Sequence, residues 1–565
     1  MFLPTTLAEI KKLGWKQLDI IIISGDTYID SPYIGAAVIG KVLLARGYKV
    51  GIIAQPDITS GDDISRLGEP GLFWGVTSGN VDSMVSNYTA SKKRRKKDDF
   101  TPGGINNRRP DRALIVYVNL VRRYFKNTVP IVIGGIDASL RRIAHYDYWT
   151  NGIRRSILFE SKADILVYGM GEKAVLDLAD KLKEGRDYKE IKGICYIDKS
   201  HKDGFLELPS YEKASKDKRL LAEMFQTFYK NNDPLTAKGM TQKYGDRYLI
   251  HNPPQALLTC RELDHIHNLH YERDVHPFYK KKGVVRAVET IRFSIISHRG
   301  CYGECNFCAI PIHQGRAVIS RSHESILKEV KEITGHPGFN GIIYDVGGPT
   351  ANMYKIECRK KTRSGACADR RCLYPAICPH LRVNHESQIN LLKQIREMPK
   401  IKKVFVASGI RYDLVLFDAK SGKDYLRELV EYHISGQLKL APEHSESHVL
   451  KLIGKPDGQD LLIFKKLFDK LNRQKAKRQF LTYYFIAAHP GCTYNDMKIL
   501  RIFCQNYLRL HPEQVQIFTP TPSTYSSLMY WTGMDPFSGK GIFVEKDIAK
   551  KERQKRVLKG FHKRS

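Results

Sequence analysis

The chain has 565 residues, 42% of them hydrophobic, and carries 92 Lys and Arg against 60 Asp and Glu, a net charge of +32. That length suits two to four domains, and the apolar and aromatic content excludes a disordered chain. No apolar run is long enough to span a bilayer, and the opening "MFLPTTLAEIKKLGWKQLD" lacks the apolar core of a secretory leader. A reducing, cytoplasmic setting is expected, in which the 11 cysteines are free, metal-bound or catalytic rather than disulfide-paired. A surface this basic attracts polyanions, which makes RNA a candidate partner. The densest runs, "KKRRKK" at 92–97 and the Lys/Arg-rich stretch after Glu545, also suit solvated loops and frayed ends.

In chain order, "LDIIIIS" (18–24) is a continuous apolar run, the mark of a strand buried on both faces. "SPYIGAAVIGKVLLARG" (31–47) has helical spacing and stops at Gly47. "YKVGIIAQ" (48–55), "RALIVYV" (112–118), "PIVIGGI" (130–136) and "ADILVYGMGE" (163–172) read as further strands. Strands alternating with helices predict a doubly wound parallel sheet over 1–185, with Gly134–Gly135 and Gly169–Gly171 at its carboxyl edge, where ligands sit in such sheets. Residues 186–288 are polar with scattered aromatics and read as a connector.

A second α/β region is expected over 289–540, before a basic tail at 541–565. Its strands are "RFSIIS" (292–297), "NGIIYDVGGPT" (340–350), "KKVFVASGIRYD" (402–413), "GQLKLAPEH" (436–444), "FLTYYFIAAHPG" (480–491) and "EQVQIFTPTP" (513–522). Amphipathic segments lie between them, so the pattern predicts a partial (β/α)6 barrel. In such a barrel the strands' carboxyl ends carry function. Arg411, Glu443, His444 and His489 fall at those ends, as do Cys492 and the aromatic group Tyr525, Tyr530 and Trp531.

The loop after the first of these strands holds Cys301, Cys305 and Cys308, spaced C-x3-C-x2-C. Structural zinc takes four ligands and would have to recruit His298 or His313. A [4Fe–4S] cluster on three thiolates instead leaves one iron open to a further ligand. A second group, Cys358, Cys367, Cys372 and Cys378, lies among basic residues after the second strand and suits an auxiliary metal or plain reduced thiols.

The three-cysteine loop, with Phe307 before its last cysteine and Gly347–Gly348 after the second strand, resembles the radical S-adenosylmethionine (SAM) superfamily. "CNFCAIPIHQGRAVISRS", "VASGIRYDL", "KLAPEH" and "TPTPSTYSSLMYWTG" narrow the resemblance to the YgiQ family, over nearly the whole chain. The resemblance implies that Cys301, Cys305 and Cys308 bind the cluster, that Phe307 packs near adenine, and that Gly347 and Gly348 meet the amino group of SAM. It implies reductive cleavage of SAM, hydrogen abstraction from a substrate, and an electron donor of the flavodoxin or ferredoxin type. "GGPT" stands where many members carry a Gly-Gly-Glu-Pro run, and Asp345 lies just before it. The amino-terminal region resembles cobalamin-binding domains, whose D-x-H-x-x-G loop supplies a cobalt-ligating His. Here Asp30 and Gly35 flank Pro32, which has no imidazole, so His-ligated cobalamin is not expected. The alternative function is a non-catalytic iron–sulfur redox sensor that binds nucleic acid.

Overall fold

A computed structural model of the chain describes residues 1–559. Two compact units emerge: residues 1–257 with 265–292, and residues 258–264 with 293 onward.

Unit one is built on a nine-stranded sheet. Its strands are β1 (Ile20–Ser24), β2 (Val50–Ala54), β3 (Phe73–Thr77), β4 (Ile131–Gly134), β5 (Ile165–Val167), β6 (Ile194–Asp198), β7 (Leu206–Leu208), β8 (Met240–Tyr244) and β9 (Arg247–His251), in the order β2-β1-β3-β4-β5-β6-β9-β8-β7. The first five in that order are parallel, as the alternation of strand and helix predicts. Every residue of β1 and β2 is buried, because helices cover both faces. Helix α1 (Gly35–Ala45), apolar nearly all round, packs against α3 (Glu172–Lys183).

Two expectations fail in this unit. The run at 112–118 is not a strand but the start of helix α2 (Ala113–Tyr124). Its buried Leu114, Tyr117, Val118 and Val121 follow helical spacing, and that one-sided burial overrides the strand preference of Val and Ile. Residues 186–288 are no mere connector. They supply β6 to β9, which extend the sheet with antiparallel pairings at β5–β6, β6–β9 and β8–β9.

Unit two contains the six expected strand regions. Strand β10 (Ser294–Ile296) pairs in parallel with β11 (Asp345–Gly347), Ile296 opposite Gly347. Ile342–Ile343, just before β11, pairs with β12 (Lys403–Val404), and a bridge from Ile410 to Leu440 carries the succession to β13 (Gln437–Glu443). β14 (Phe480–Ala487) and β15 (Gln514–Ile517) complete it, all in parallel. One apolar core joins these strands to helices α4 (His323–Thr334), α5 (Glu386–Glu397), α6 (Gln459–Gln474) and α7 (Tyr494–Phe503). The expected basic tail is instead largely helix α8 (Ile548–Lys559), with Lys551, Gln554, Val557 and Leu558 buried. Val557 and Leu558 join the barrel core, so this lysine-rich stretch is amphipathic rather than frayed. Residues 560–565 of that tail lie outside the described residues.

Candidate active site at the carboxyl ends of the barrel strands

The cysteine loop is clamped at its base. His298–Arg299 pairs antiparallel with Ile319–Ser320, and Gly300 N–H donates to Gln314 Oε1 at 3.0 Å. Gly300 has φ +81°, and any Cβ there would collide with the Ala317 carbonyl, so this turn requires glycine. Asn306 pins the middle of the loop. Its N–H donates to Ile453 O at 2.8 Å, its side-chain amide to Leu452 O at 2.9 Å, and its carbonyl accepts from Ser526 N–H at 2.9 Å.

The three thiols face a shared space. A Cβ placed on Gly303 would lie 3.3 Å from Cys301 Sγ, 3.6 Å from Cys305 Sγ and 3.7 Å from Arg411 Nη1. Cys301 Sγ accepts from Gly303 N–H at 3.3 Å and Cys308 Sγ from Ile310 N–H at 3.4 Å, contacts that favour thiolate. Against this, burial first and then mutual repulsion among the thiols push Cys301 and Cys308 up as free acids. Arg411 supplies positive charge beside Cys305, and its guanidinium is held by Asp413, Nε to Oδ1 at 2.8 Å. Among the described residues, these sulfurs do not all fall within 4.8 Å of one another. A closed zinc site, with bonds of about 2.3 Å, brings its thiolates to about 3.8 Å. The glycine-lined cradle, the N–H donors on sulfur and the open spacing fit a [4Fe–4S] cluster.

The glycines after β11 are equally constrained. Gly347 O accepts from Ser297 N–H at 2.7 Å, and a Cβ on Gly347 would meet Ser408 Oγ at 2.7 Å. A Cβ on Gly348 would meet the His298 ring at 2.6 Å. His298 is fully buried, with Nδ1 2.9 Å from Ser297 Oγ, and desolvation lowers it to about 4. This fixed, neutral ring packs the glycine pair rather than waiting as a mobile fourth ligand. Asp345 ties β11 to the end of β12: Oδ1 accepts from Ala407 N–H at 2.8 Å and Ser408 N–H at 3.1 Å, and Oδ2 from the Ser408 hydroxyl. Its carboxylate is thus engaged in joining strands. Phe307 is half-buried against the barrel core.

The remaining strand-end residues divide. Glu443, held in the left-handed region at φ +69°, pairs with Lys455 at 2.9 Å and lies close enough to Cys308 to raise that thiol further. His444 Nε2 is 3.5 Å from Cys492 Sγ, and desolvation holds this imidazole at about 3. His489 accepts from Ser526 Oγ at Nε2, 2.7 Å away, and is lowered to about 4 by burial. Tyr525 stacks on Phe537, Tyr530 accepts from Lys551 Nζ at 2.7 Å, and Trp531 lies under Lys546. Cys358, Cys372 and Cys378 share an apolar cluster with Tyr302, beside Cys301, while Cys367 is half-buried on the turn between. Sequence reasoning overlooked Asn306, Glu304 and Thr350, whose hydroxyl lies 3.8 Å from Cys301 Sγ. The x positions of the C-x3-C-x2-C loop were the only signal for Glu304 and Asn306, and the "GGPT" run the only one for Thr350.

In unit one, the loop corresponding to the cobalamin motif is closed on itself. Asp30 is fully buried, paired with Lys41 at 3.0 Å, and accepts from Glu272 N–H at 2.9 Å. Gly135 has φ +86° and approaches Thr77 Oγ1 so closely that a Cβ would lie 2.6 Å away, which accounts for the glycine as a strand-to-helix turn. At the same edge Arg109 pairs with Asp26 at 2.6 Å and with Asp98 at 3.1 Å, all three buried.

A partial barrel of parallel strands with three cysteines on the loop after its first strand defines a radical SAM protein. The description "Radical SAM superfamily" matches residues 295–503 and "Radical SAM N-terminal" matches residues 2–294. A UPF0313 protein of Fusobacterium nucleatum is 58% identical over 99% of this chain and 98% of its own length. A UPF0313 protein of Thermotoga maritima is 50% identical over 98% of each chain. The chain belongs to this UPF0313 family, whose other name is YgiQ. Among solved structures, the radical SAM methyltransferase TsrM of Kitasatospora setae, with cobalamin and a [4Fe–4S] cluster bound, aligns with TM-score 0.50 at 14% identity over 90% of this chain and 77% of its own. The cobalamin-dependent radical enzyme OxsB, with aqua-cobalamin bound, aligns with TM-score 0.51 at 14% identity over 91% of this chain and 55% of its own. These two share the fold.

Proposed function

We propose that the chain is an enzyme that cleaves SAM reductively and abstracts hydrogen from a substrate at the carboxyl ends of the barrel strands. Cys301, Cys305 and Cys308 hold the [4Fe–4S] cluster, Gly347 and Gly348 let the backbone approach the amino group of SAM, and Phe307 lies near its adenine. The observation that carries this reading is the cradle at Gly303, bounded by two cysteine sulfurs and the Arg411 guanidinium. Loaded with its cluster and given one electron by the donor, the site would supply reductive cleavage of a C–S bond of SAM, releasing methionine and leaving the 5′-deoxyadenosyl group to take hydrogen from the substrate. The chain's own residues do the positioning. Asn306 keeps the loop rigid, Asp413 aims Arg411, and the fixed His298 ring holds the glycine pair. Only three thiols stand on this loop, which favours an open iron over the saturated cluster of a redox sensor.

We place the enzyme in the reducing cytoplasm, served by a flavodoxin- or ferredoxin-type donor. No described helix is long and apolar enough to cross a membrane. RNA is the substrate class that the +32 charge favours. The test is anaerobic. Reduced, reconstituted protein should release 5′-deoxyadenosine from SAM, and Cys305→Ala should abolish release while the far-ultraviolet dichroism is unchanged. A fully clustered wild type that leaves SAM intact would overturn the proposal.

A further inference from the structure

The segment between β11 and α5 contains only a six-residue helix (Arg359–Ser364), one turn of 3-10 helix and a single bridge from Glu357 to Arg382. Irregular segments of this length inside a compact unit need something to order them. This one carries four cysteines, and three of them, Cys358, Cys372 and Cys378, share one apolar cluster. Cys358 and Cys372 are 4% and 8% exposed, and all four are free of disulfide bonds. Cys378 N–H donates to Cys372 O at 2.8 Å, which folds the chain back so that both thiols join the cluster from one turn.

The surroundings of these thiols are charged in an uncommon way. Lys361, 4% exposed, donates to Cys372 Sγ at 3.5 Å, to Glu304 Oε1 at 2.8 Å and to Arg316 O at 2.8 Å. Glu304 answers the charge of this buried ammonium, and its further contact places a donor on the Cys372 sulfur. A donor on sulfur favours the thiolate, the form that binds metal.

We infer that Cys358, Cys367, Cys372 and Cys378 hold a second iron–sulfur cluster, ordered by the segment's own fold, with Lys361 donating to the Cys372 sulfur. A cluster is favoured over zinc by spacing. Among the described residues no three ligand atoms of this segment lie within 4.8 Å of one another, whereas closed zinc thiolates come to about 3.8 Å. In a cluster each thiolate takes a different iron and the sulfurs stand further apart. Glu304 lies between Cys301 and Cys305, so its bond to Lys361 links the two cysteine sets through one carboxylate.

The inference does not depend on SAM chemistry, and its test reads iron rather than activity. The full chain is reconstituted anaerobically with iron and sulfide. Wild type should hold about eight irons per chain, Cys301→Ala/Cys305→Ala/Cys308→Ala about four, and Cys358→Ser/Cys372→Ser about four with a SAM-sensitive paramagnetic signal retained. Wild type with about four irons, the first variant with none, or one zinc per chain on the second set would each overturn it. If neither variant folds, the iron, sulfide and zinc content of the wild type decides alone.

Discussion

Gly303 shows how much of this site rests on one missing methyl group. Its Cα borders the space that Cys301 Sγ, Cys305 Sγ and Arg411 Nη1 share. We expect Gly303→Ala to cut reconstituted iron at the first site by more than half while leaving the fold intact, because the loop is anchored elsewhere, at Gly300 and Asn306. Iron analysis beside circular dichroism checks this; full loading would show that the cradle is not where the cluster sits. Cysteine spacing and glycine pairs were legible in the sequence because the chemistry demands those residue types. Residues that act by hydrogen bonding across the fold were not. Asn306 meets Leu452 and Ser526, 146 and 220 positions away, and no local pattern announces such partners.

Among the elements, α8 was the least legible. Its composition, "IAKKERQKRVLK", looks like a solvated tail, yet it closes the barrel against β14 and β15. Gln554 makes this contact specific: its Oε1 accepts from Ala488 N–H at 2.9 Å and its Nε2 donates to Cys492 O at 3.3 Å. Gln554→Ala leaves that buried N–H unpaired and should cost about 2 kcal/mol of stability, read as a lower urea midpoint. An unchanged midpoint would mean that α8 is not part of the cooperative unit. Periodicity had located all six barrel strands and β1, β2, β4 and β5, because buried parallel strands are continuous apolar runs, but not β3, whose "FWGVT" is broken by a glycine. It misread α2 because Leu-Ile-Val-Tyr-Val satisfies a strand and a buried helix face alike. It missed β6 to β9 because they are three to five residues long and mix polar with apolar positions, as in "LEL" and "MTQKY", so no apolar run stands out.

For the whole molecule, both units bury histidines that stay neutral. Desolvation holds His145 in unit one at about 3 and His489 in unit two at about 4, against an ordinary value of 6.5. The unfolded chain therefore takes up protons below about 6.5 that the folded chain refuses. Their contribution to stability is complete above that pH and falls as pH drops toward 4, by about 1.4 kcal/mol per pH unit for each histidine. Urea midpoints at pH 7.5, 6 and 5 should fall in that order for both units; a flat profile would contradict the buried, neutral assignment.

The central claim is that Cys301, Cys305 and Cys308 leave one iron open for SAM. It is tested most directly by the electron paramagnetic resonance spectrum of the reduced, reconstituted protein, recorded with and without SAM. To keep the second cysteine set silent, the measurement is made on Cys358→Ser/Cys372→Ser beside the wild type. The account predicts a reduced-cluster signal that shifts on adding SAM in both proteins and is lost when Cys305→Ala is added to Cys358→Ser/Cys372→Ser. A signal in Cys358→Ser/Cys372→Ser that ignores SAM would contradict it.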